Sequence, residues 1–318
     1  MAELDFVEDE LLALKRDSLA RYPEFARALQ ALTDLDVQLR LEGTLSVAID
    51  RDDAADLRRH YEHRRSLDLP VEWFSGAQVR AAEPALSPRI QAAIYVPGEG
   101  QVDNRLLVTA LARAAYLAGV EIREGVEVQE ILTNGGRVRG VRTSQDLPFE
   151  HVVLAAGAWS RRLGLPGFNP PVRPVRGEMI AVMMEPGDAL GCVVRAPDCY
   201  LVPRADGRLL IGATSDEVGF DTRITAGGLF ELLRGATETL PGVREFEVVE
   251  TWAGLRPGTL DNDPILGHTA IRGLVAATGH YRNGILLLPA TAHYISEAVL
   301  SGSDPDAIAG FGPRRFDR

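Results

Sequence analysis

The run from Phe149 to Ala155, closed by Ala156-Gly157, constrains the fold more than any other segment of this chain. It is short, almost wholly apolar and ends at a glycine. That pattern predicts a central parallel strand that feeds a helix, and so an α/β class. The flanking sequence agrees. Leu106, Leu107, Ala110, Leu111, Ala114, Ala115 and Leu117 recur at helical spacing, with Asp103 placed to cap the helix and Gly119 to stop it. Val120 to Ile122 and Val126 to Leu132 read as strands. Asn134-Gly135 reads as a hairpin turn into a strand from Val138 to Thr143.

Toward the N-terminus, apolar spacing predicts a helix from Leu4 to Leu32, or two joined at Pro23. Leu39, Leu41, Leu45, Val47 and Ile49 alternate, which predicts a half-buried strand. A charged helix spans Arg51 to Leu67, a short one opens at Ser75-Gly76-Ala77-Gln78, and Gln91 to Val96 reads as a strand. From Val172 to Trp252 strands dominate (Met179 to Met184, Tyr200 to Val202, Leu209 to Ile211 and Val248 to Trp252), with a helix from Ala226 to Leu240 between them. A strand from Leu274 to Ala277 and a helix from Ile285 to Leu300 follow, and the tail from Ser301 reads as loosely structured. Two interleaved domains result: one of residues 1–38, 98–170 and 259–318, and a sheet-rich one of residues 39–97 and 171–258.

With 318 residues, 46% of them hydrophobic, the chain is long enough for two such domains. A formal net charge of -11 argues against nucleic acid or an anionic membrane as partner. Two cysteines, Cys192 and Cys199, indicate no secreted disulfide framework, and with no apolar run of membrane-spanning length a cytoplasmic location is expected. His60 and His63 would share a helix face beside Glu62, but no third ligand follows at zinc spacing, so a solvated surface helix is expected there.

Seven short motifs together give the chain a family likeness. They are Leu41-Glu42-Gly43-Thr44-Leu45, Gly100-Gln101-Val102-Asp103, Leu154-Ala155-Ala156-Gly157-Ala158-Trp159-Ser160, Val175-Arg176-Gly177-Glu178, Tyr200-Leu201-Val202-Pro203-Arg204, Gly254-Leu255-Arg256-Pro257 and Gly279-His280-Tyr281-Arg282-Asn283-Gly284. In this order the chain resembles the FAD-dependent amino acid oxidases, a group that includes D-amino acid oxidase, sarcosine oxidase and glycine oxidase. Glycine oxidase of thiamine biosynthesis is the nearest likeness. The resemblance implies an FAD-binding three-layer domain interleaved with a sheet-rich substrate domain. It also implies FAD as cofactor, with oxygen and a small amine or D-amino acid as substrates.

The resemblance gives roles to particular residues. Arg256, in Gly-Leu-Arg-Pro, is implied as the substrate carboxylate anchor. The planar guanidinium suits that task, and the alternative is an ion pair with Asp261 or Asp263. Tyr200 is implied to touch the same carboxylate; otherwise it is a core tyrosine. Arg282 is implied to face substrate and flavin. Gly279, His280, Tyr281, Asn283, Gly284 and Ile285 are implied as flavin contacts, where glycines and a helix start bring free N–H groups close. An ordinary strand-to-helix turn is the alternative, and for His280 a hydrogen-bonded structural role. Ala155 and Gly157 are implied to pack against the FAD ribose and pyrophosphate, and the Val126 and Val128 backbones against adenine. Ser215 stands where some glycine oxidases carry a methionine, so the substrate stays open among glycine, sarcosine and other small amines. No residue is named as a general base.

The family opens with a Gly-x-Gly-x-x-Gly turn that binds the dinucleotide. This sequence begins Met1-Ala2-Glu3-Leu4-Asp5-Phe6 and has no glycine before Gly43. Two further expectations follow: a partner-dependent, non-catalytic chain that binds FAD poorly and forms homo-oligomers, or a gene product that starts upstream.

Overall fold

The computed structural model describes residues 9–316; the expected helix start at Leu4 lies outside the described residues. In chain order the elements are α1 (Asp9–Thr33), β1 (Thr44–Ala48), α2 (Arg51–Ser66), β2 (Glu72–Ser75), α3 (Gly76–Ala82), β3 (Ala92–Val96) and α4 (Asn104–Leu117). Then follow β4 (Glu130–Asn134), β5 (Arg137–Arg142), β6 (Asp146–Pro148), β7 (Val152–Leu154), β8 (Arg173–Met183), β9 (Val193–Arg195), β10 (Tyr200–Pro203) and β11 (Arg208–Gly212). The chain continues through α5 (Ala226–Thr239), β12 (Glu247–Gly258), β13 (Ile265–His268), β14 (Leu274–Thr278) and α6 (Gly284–Ser301). The fold is mixed α/β, as expected.

The largest layer is a sheet in the order β12-β8-β11-β10-β9-β1-β3-β2. One face carries Ile180, Val182, Leu201, Leu209 and Ile211, covered by Leu232 and Ala236 of α5. Each such aliphatic side chain, once buried, contributes about 1.5–3 kcal/mol. Gly43, at φ +92°, turns the chain just before β1, so the strand expected over residues 39–49 shortens to five residues. All five are buried, because β1 lies inside the sheet between β3 and β9.

A second sheet has the order β13-β14-β7, and a third β4-β5-β6. The run from residue 149 to 155 forms only β7, parallel to β14, and among the described residues it lies at the sheet's end rather than its centre. Val153 is accordingly 43% exposed. A short 3₁₀ turn, Gly157–Leu163, follows in place of the expected helix. The strand from Val120 to Ile122 does not form, and that from Val126 to Leu132 shrinks to β4. The alternation is real, but a strand persists only where a neighbour completes its ladder. Among the described residues none pairs with 120–128.

Helix α1 runs through Pro23 unbroken. It packs on α6, which carries its own internal proline, Pro289. Pro289 has no N–H for the Ile285 carbonyl four residues back. The Tyr22 hydroxyl of α1 donates to that carbonyl instead. Ser18 Oγ donates to the next one, Leu286, at 2.6 Å, and accepts from the Ala290 N–H at 3.2 Å. Beyond Ser301 the tail is not loose: Ile308 and Phe311 are buried against Leu11 and Leu14.

Candidate functional site

Sheet register places the substrate-side residues. In an antiparallel pair, opposed residues share a face. Val175, Gly177 and Met179 of β8 oppose Arg256, Gly254 and Trp252 of β12, and Met179 also opposes Gly212 of β11. Gly212 in turn opposes Tyr200 of β10. Arg256 and Tyr200 thus stand on one face, opposite the face that α5 covers. Two glycines make room for them. A Cβ on Gly177 would come within 2.4 Å of Arg256 Nη2, and one on Gly212 within 2.7 Å of the Tyr200 hydroxyl. The guanidinium lies over β8 only because Gly177 has no side chain.

Arg256 is half-buried, and its Nη1 donates to the Thr214 carbonyl at 3.0 Å and, more weakly, to the Arg176 carbonyl at 3.4 Å. It forms no ion pair among the described residues. The pairing with Asp261 weighed from the sequence does not occur, since Asp261 is taken by Arg315 at 2.8 Å. Arg282 reaches the same loop from the other side, with Nη2 donating to Ser215 Oγ at 3.1 Å while its guanidinium lies 5.0 Å from the Tyr281 ring. The Tyr200 hydroxyl donates to Met179 Sδ at 3.2 Å. Burial raises its pKa, opposed by the charges of Arg256 and Arg282, so the phenol stays protonated. Tyr200, Arg256 and Arg282 therefore converge on one place.

A second group of residues adjoins them. Strands β14 and β7 are parallel, and both end in a glycine turn, Gly279 at φ +73° and Gly157 at φ +51°. The carboxyl ends of parallel strands are where α/β sheets bind ligands. The turns are tied together: Ser160 Oγ and Thr278 Oγ1 lie 2.6 Å apart, and Ser160 Oγ donates to the Gly157 carbonyl at 2.8 Å. The Tyr281 N–H donates to the Pro257 carbonyl at 3.0 Å, which fastens this turn directly behind Arg256. Ala155 is exposed at the end of β7.

After the turn, α6 begins. Its first backbone bond runs from the Leu287 N–H to the Asn283 carbonyl at 2.8 Å, and the Asn283 side chain caps none of the amides before it. The amides of Gly284, Ile285 and Leu286 thus lack helical acceptors. Asn283 Oδ1 is buried with no hydrogen-bond partner. His280 Nε2 lies 3.0 Å from Thr291 Oγ1, and burial pushes the imidazole down to about 4, so it is neutral at physiological pH. Val126 and Val128 are not part of this grouping. They lie on the strandless segment before β4, with no hydrogen bond among the described residues to β7, β14 or α6.

Sequence reasoning did not single out Thr214 and Gly177, which the structure sets against Arg256. Gly177 stood in a quoted motif, where a glycine inside a strand signals a close approach; Thr214 gave no local signal. A cavity of about 470 Å³ lies against the same loop, lined by Arg176, Thr214, Ser215, Asp216, Thr225 and Glu231 among others, but it excludes Arg256, Tyr200 and Arg282.

Comparison with known proteins bears on the family. A family model described as FAD dependent oxidoreductase matches residues 4–298. Glycine oxidase of Geobacillus kaustophilus is 40% identical over 293 residues, which cover 91% of this chain and 78% of that protein. The bifunctional protein ThiO/ThiG of Synechocystis sp. is 38% identical over 301 residues, and the chain spans 44% of its length. The crystal structure of the Geobacillus kaustophilus glycine oxidase superposes with a TM-score of 0.91 at 37% identity, over 97% of this chain and 84% of that one.

Proposed function

The chain belongs to the FAD-dependent oxidoreductase family, and on that premise we propose that it oxidises glycine or another small amine carrying a carboxylate. The products are an imine, hydrolysed to an oxo acid and ammonia, and hydrogen peroxide from oxygen. The observation that carries this reading is Arg256: a half-buried guanidinium, aimed across β8, with no counter-anion among the described residues. A cation so placed costs desolvation unless an anion arrives, and its fork fits a carboxylate with two parallel bonds.

The residues present fit FAD. The unsatisfied amides of Gly284, Ile285 and Leu286, with the unpartnered Asn283 Oδ1, would hold the polar edge of the flavin ring. Gly157 would admit the ribose and pyrophosphate backbone closely, since nothing lies within 4 Å of a Cβ there. When bound, FAD accepts the hydride from the substrate α-carbon and passes electrons to oxygen.

The protein's own groups bind and orient. Arg256 fixes the position and rotation of the carboxylate. Tyr200, kept protonated, exchanges a weak thioether acceptor for a carboxylate oxygen. The nearby guanidinium charges disfavour an ammonium and so favour the neutral amine that hydride loss requires. No general base is needed. The likeness to a ThiO/ThiG protein supports a role in supplying thiazole synthesis, and both relatives favour a catalytic chain over a non-catalytic remnant.

The test is direct. The chain is mixed with FAD, freed of excess and scanned in the visible, then assayed for peroxide with glycine, sarcosine and methylamine. A retained flavin band with carboxylate-dependent peroxide release is the expected result. A flavin-loaded protein that oxidises methylamine as well as glycine would refute the anchor role of Arg256.

A further inference from the structure

We infer that Thr214 is a positioning residue for Arg256. It works through its hydroxyl, within a loop that also meets Arg282. The inference rests on the proposed role of Arg256 as carboxylate anchor.

Arg256 has several rotatable bonds and no acidic neighbour to hold it, so fixing its direction costs side-chain entropy. Its nearest backbone acceptor among the described residues is the Thr214 carbonyl, at 3.0 Å. That carbonyl is held by an unusual brace. Beyond the end of β11 the chain runs on beside β8 for one more bridge. The Arg176 N–H donates to the Asp216 carbonyl at 2.9 Å, and the Asp216 N–H donates back to Arg176 at 3.0 Å. Between these bonds the Thr214 hydroxyl does two things. It accepts from the Glu178 N–H at 3.0 Å and donates to Asp216 Oδ2 at 2.8 Å. The same Asp216 oxygen faces Arg176 Nη2 at 3.3 Å, and Arg176 pairs with Glu178 Oε1 at 3.1 Å. Arg176 is 6% exposed and Glu178 0%.

The side chains of Arg176 and Glu178 lie on the α5 face of β8, while Arg256 lies on the other. Thr214 joins the two: its hydroxyl is locked into the buried charge cluster and its carbonyl points at the anchor. Ser215, the next residue, accepts from Arg282. One three-residue segment therefore meets both guanidiniums. A threonine that served only loop stability would affect every substrate and every ligand alike.

The experiment measures the KM and kcat for glycine, and the dissociation constant of glycolate by calorimetry on the FAD-loaded full chain. The proteins are wild type, Arg256→Met, Thr214→Val, Thr214→Ser and the Thr214→Val/Arg256→Met double variant. For Thr214→Val the glycine KM and the glycolate constant should each rise about tenfold, with kcat within about twofold, as expected of a group held slightly out of place. Thr214→Ser, which keeps the hydroxyl, should restore both. In the Arg256→Met background Thr214→Val should have no further effect, because the two act as one unit. An equal loss in both backgrounds, or a fall in kcat with KM unmoved, would overturn the inference. Should Thr214→Val not fold, Asp216→Asn is read on the same scale, with an expected rise of about threefold to fivefold for both constants and the same dependence on Arg256. If Arg256→Met itself leaves glycine and glycolate unaffected, the anchor reading fails first, which is a separate result.

Discussion

Tyr22→Phe removes a single oxygen atom, yet it should loosen the start of α6, where we propose the flavin edge is held. Tyr22 is 4% exposed, and burial pushes its hydroxyl pKa up, so it is a neutral donor. It bonds the Ile285 carbonyl, the one carbonyl of α6 that Pro289 deprives of its helical donor. Without the hydroxyl that carbonyl loses the donor that stands in for the missing amide. Leaving a buried acceptor unmade costs about 1–3 kcal/mol. Ile285 is 40% exposed, so water can partly compensate, and the lower half of that range applies. For a chain of this size a loss of about 1–2 kcal/mol lowers the melting temperature by about 1.5–3 °C. The decisive control is Pro289→Ala, which supplies an N–H four residues on. In that background Tyr22→Phe should cost about 1 kcal/mol less than in the wild type. The assay is urea unfolding of the four proteins of the cycle. Costs that add to within about 0.3 kcal/mol would show that the hydroxyl does not stand in for the missing amide, and the argument would fail.

Three shorter predictions follow from the same geometry. Arg256→Met removes two charge-assisted bonds, each contributing about 1.5–3 kcal/mol, and so should lower kcat/KM for glycine by at least about 100-fold while leaving methylamine unaffected; steady-state peroxide assays decide it. Gly177→Ala would put a Cβ within 2.4 Å of Arg256 Nη2 without a positive φ to strain it, so melting should change little while the glycine KM rises steeply. The third concerns pH. His280 is held near 4 in the fold, against about 6.5 when unfolded, so the unfolded chain binds the extra proton in that window. Stability should be undiminished above pH 6.5, fall as pH drops toward 4, and lose at most about 3 kcal/mol from this group. Unfolding of wild type and His280→Gln at pH 7.5 and 4.5 tests it: a wild-type slope no steeper than the variant's would refute the assignment.

Several elements were fully legible in the residues. Asp103 announces α4, and its Oδ1 accepts from the Arg105 and Leu106 amides at 2.9 and 3.0 Å. Asn134-Gly135 announces the turn between β4 and β5, with Gly135 and Gly136 both at positive φ. Caps and turns are settled within four or five residues, so local sequence suffices for them. The order of the seven motifs was likewise enough to name the family, and with it the cofactor and the class of reaction. Pairing is another matter. The alternation over 120–128 is a torsional preference, and only the presence or absence of a neighbouring strand decides whether it becomes a ladder. The position of β7 at the end of its sheet was hidden for the same reason. The site shows the limit most clearly. Arg256 could be singled out by its motif, but its bond to Thr214 spans 42 residues and crosses over Gly177. A guanidinium's partners are set by which strands lie side by side, and that order is a property of the folded sheet alone.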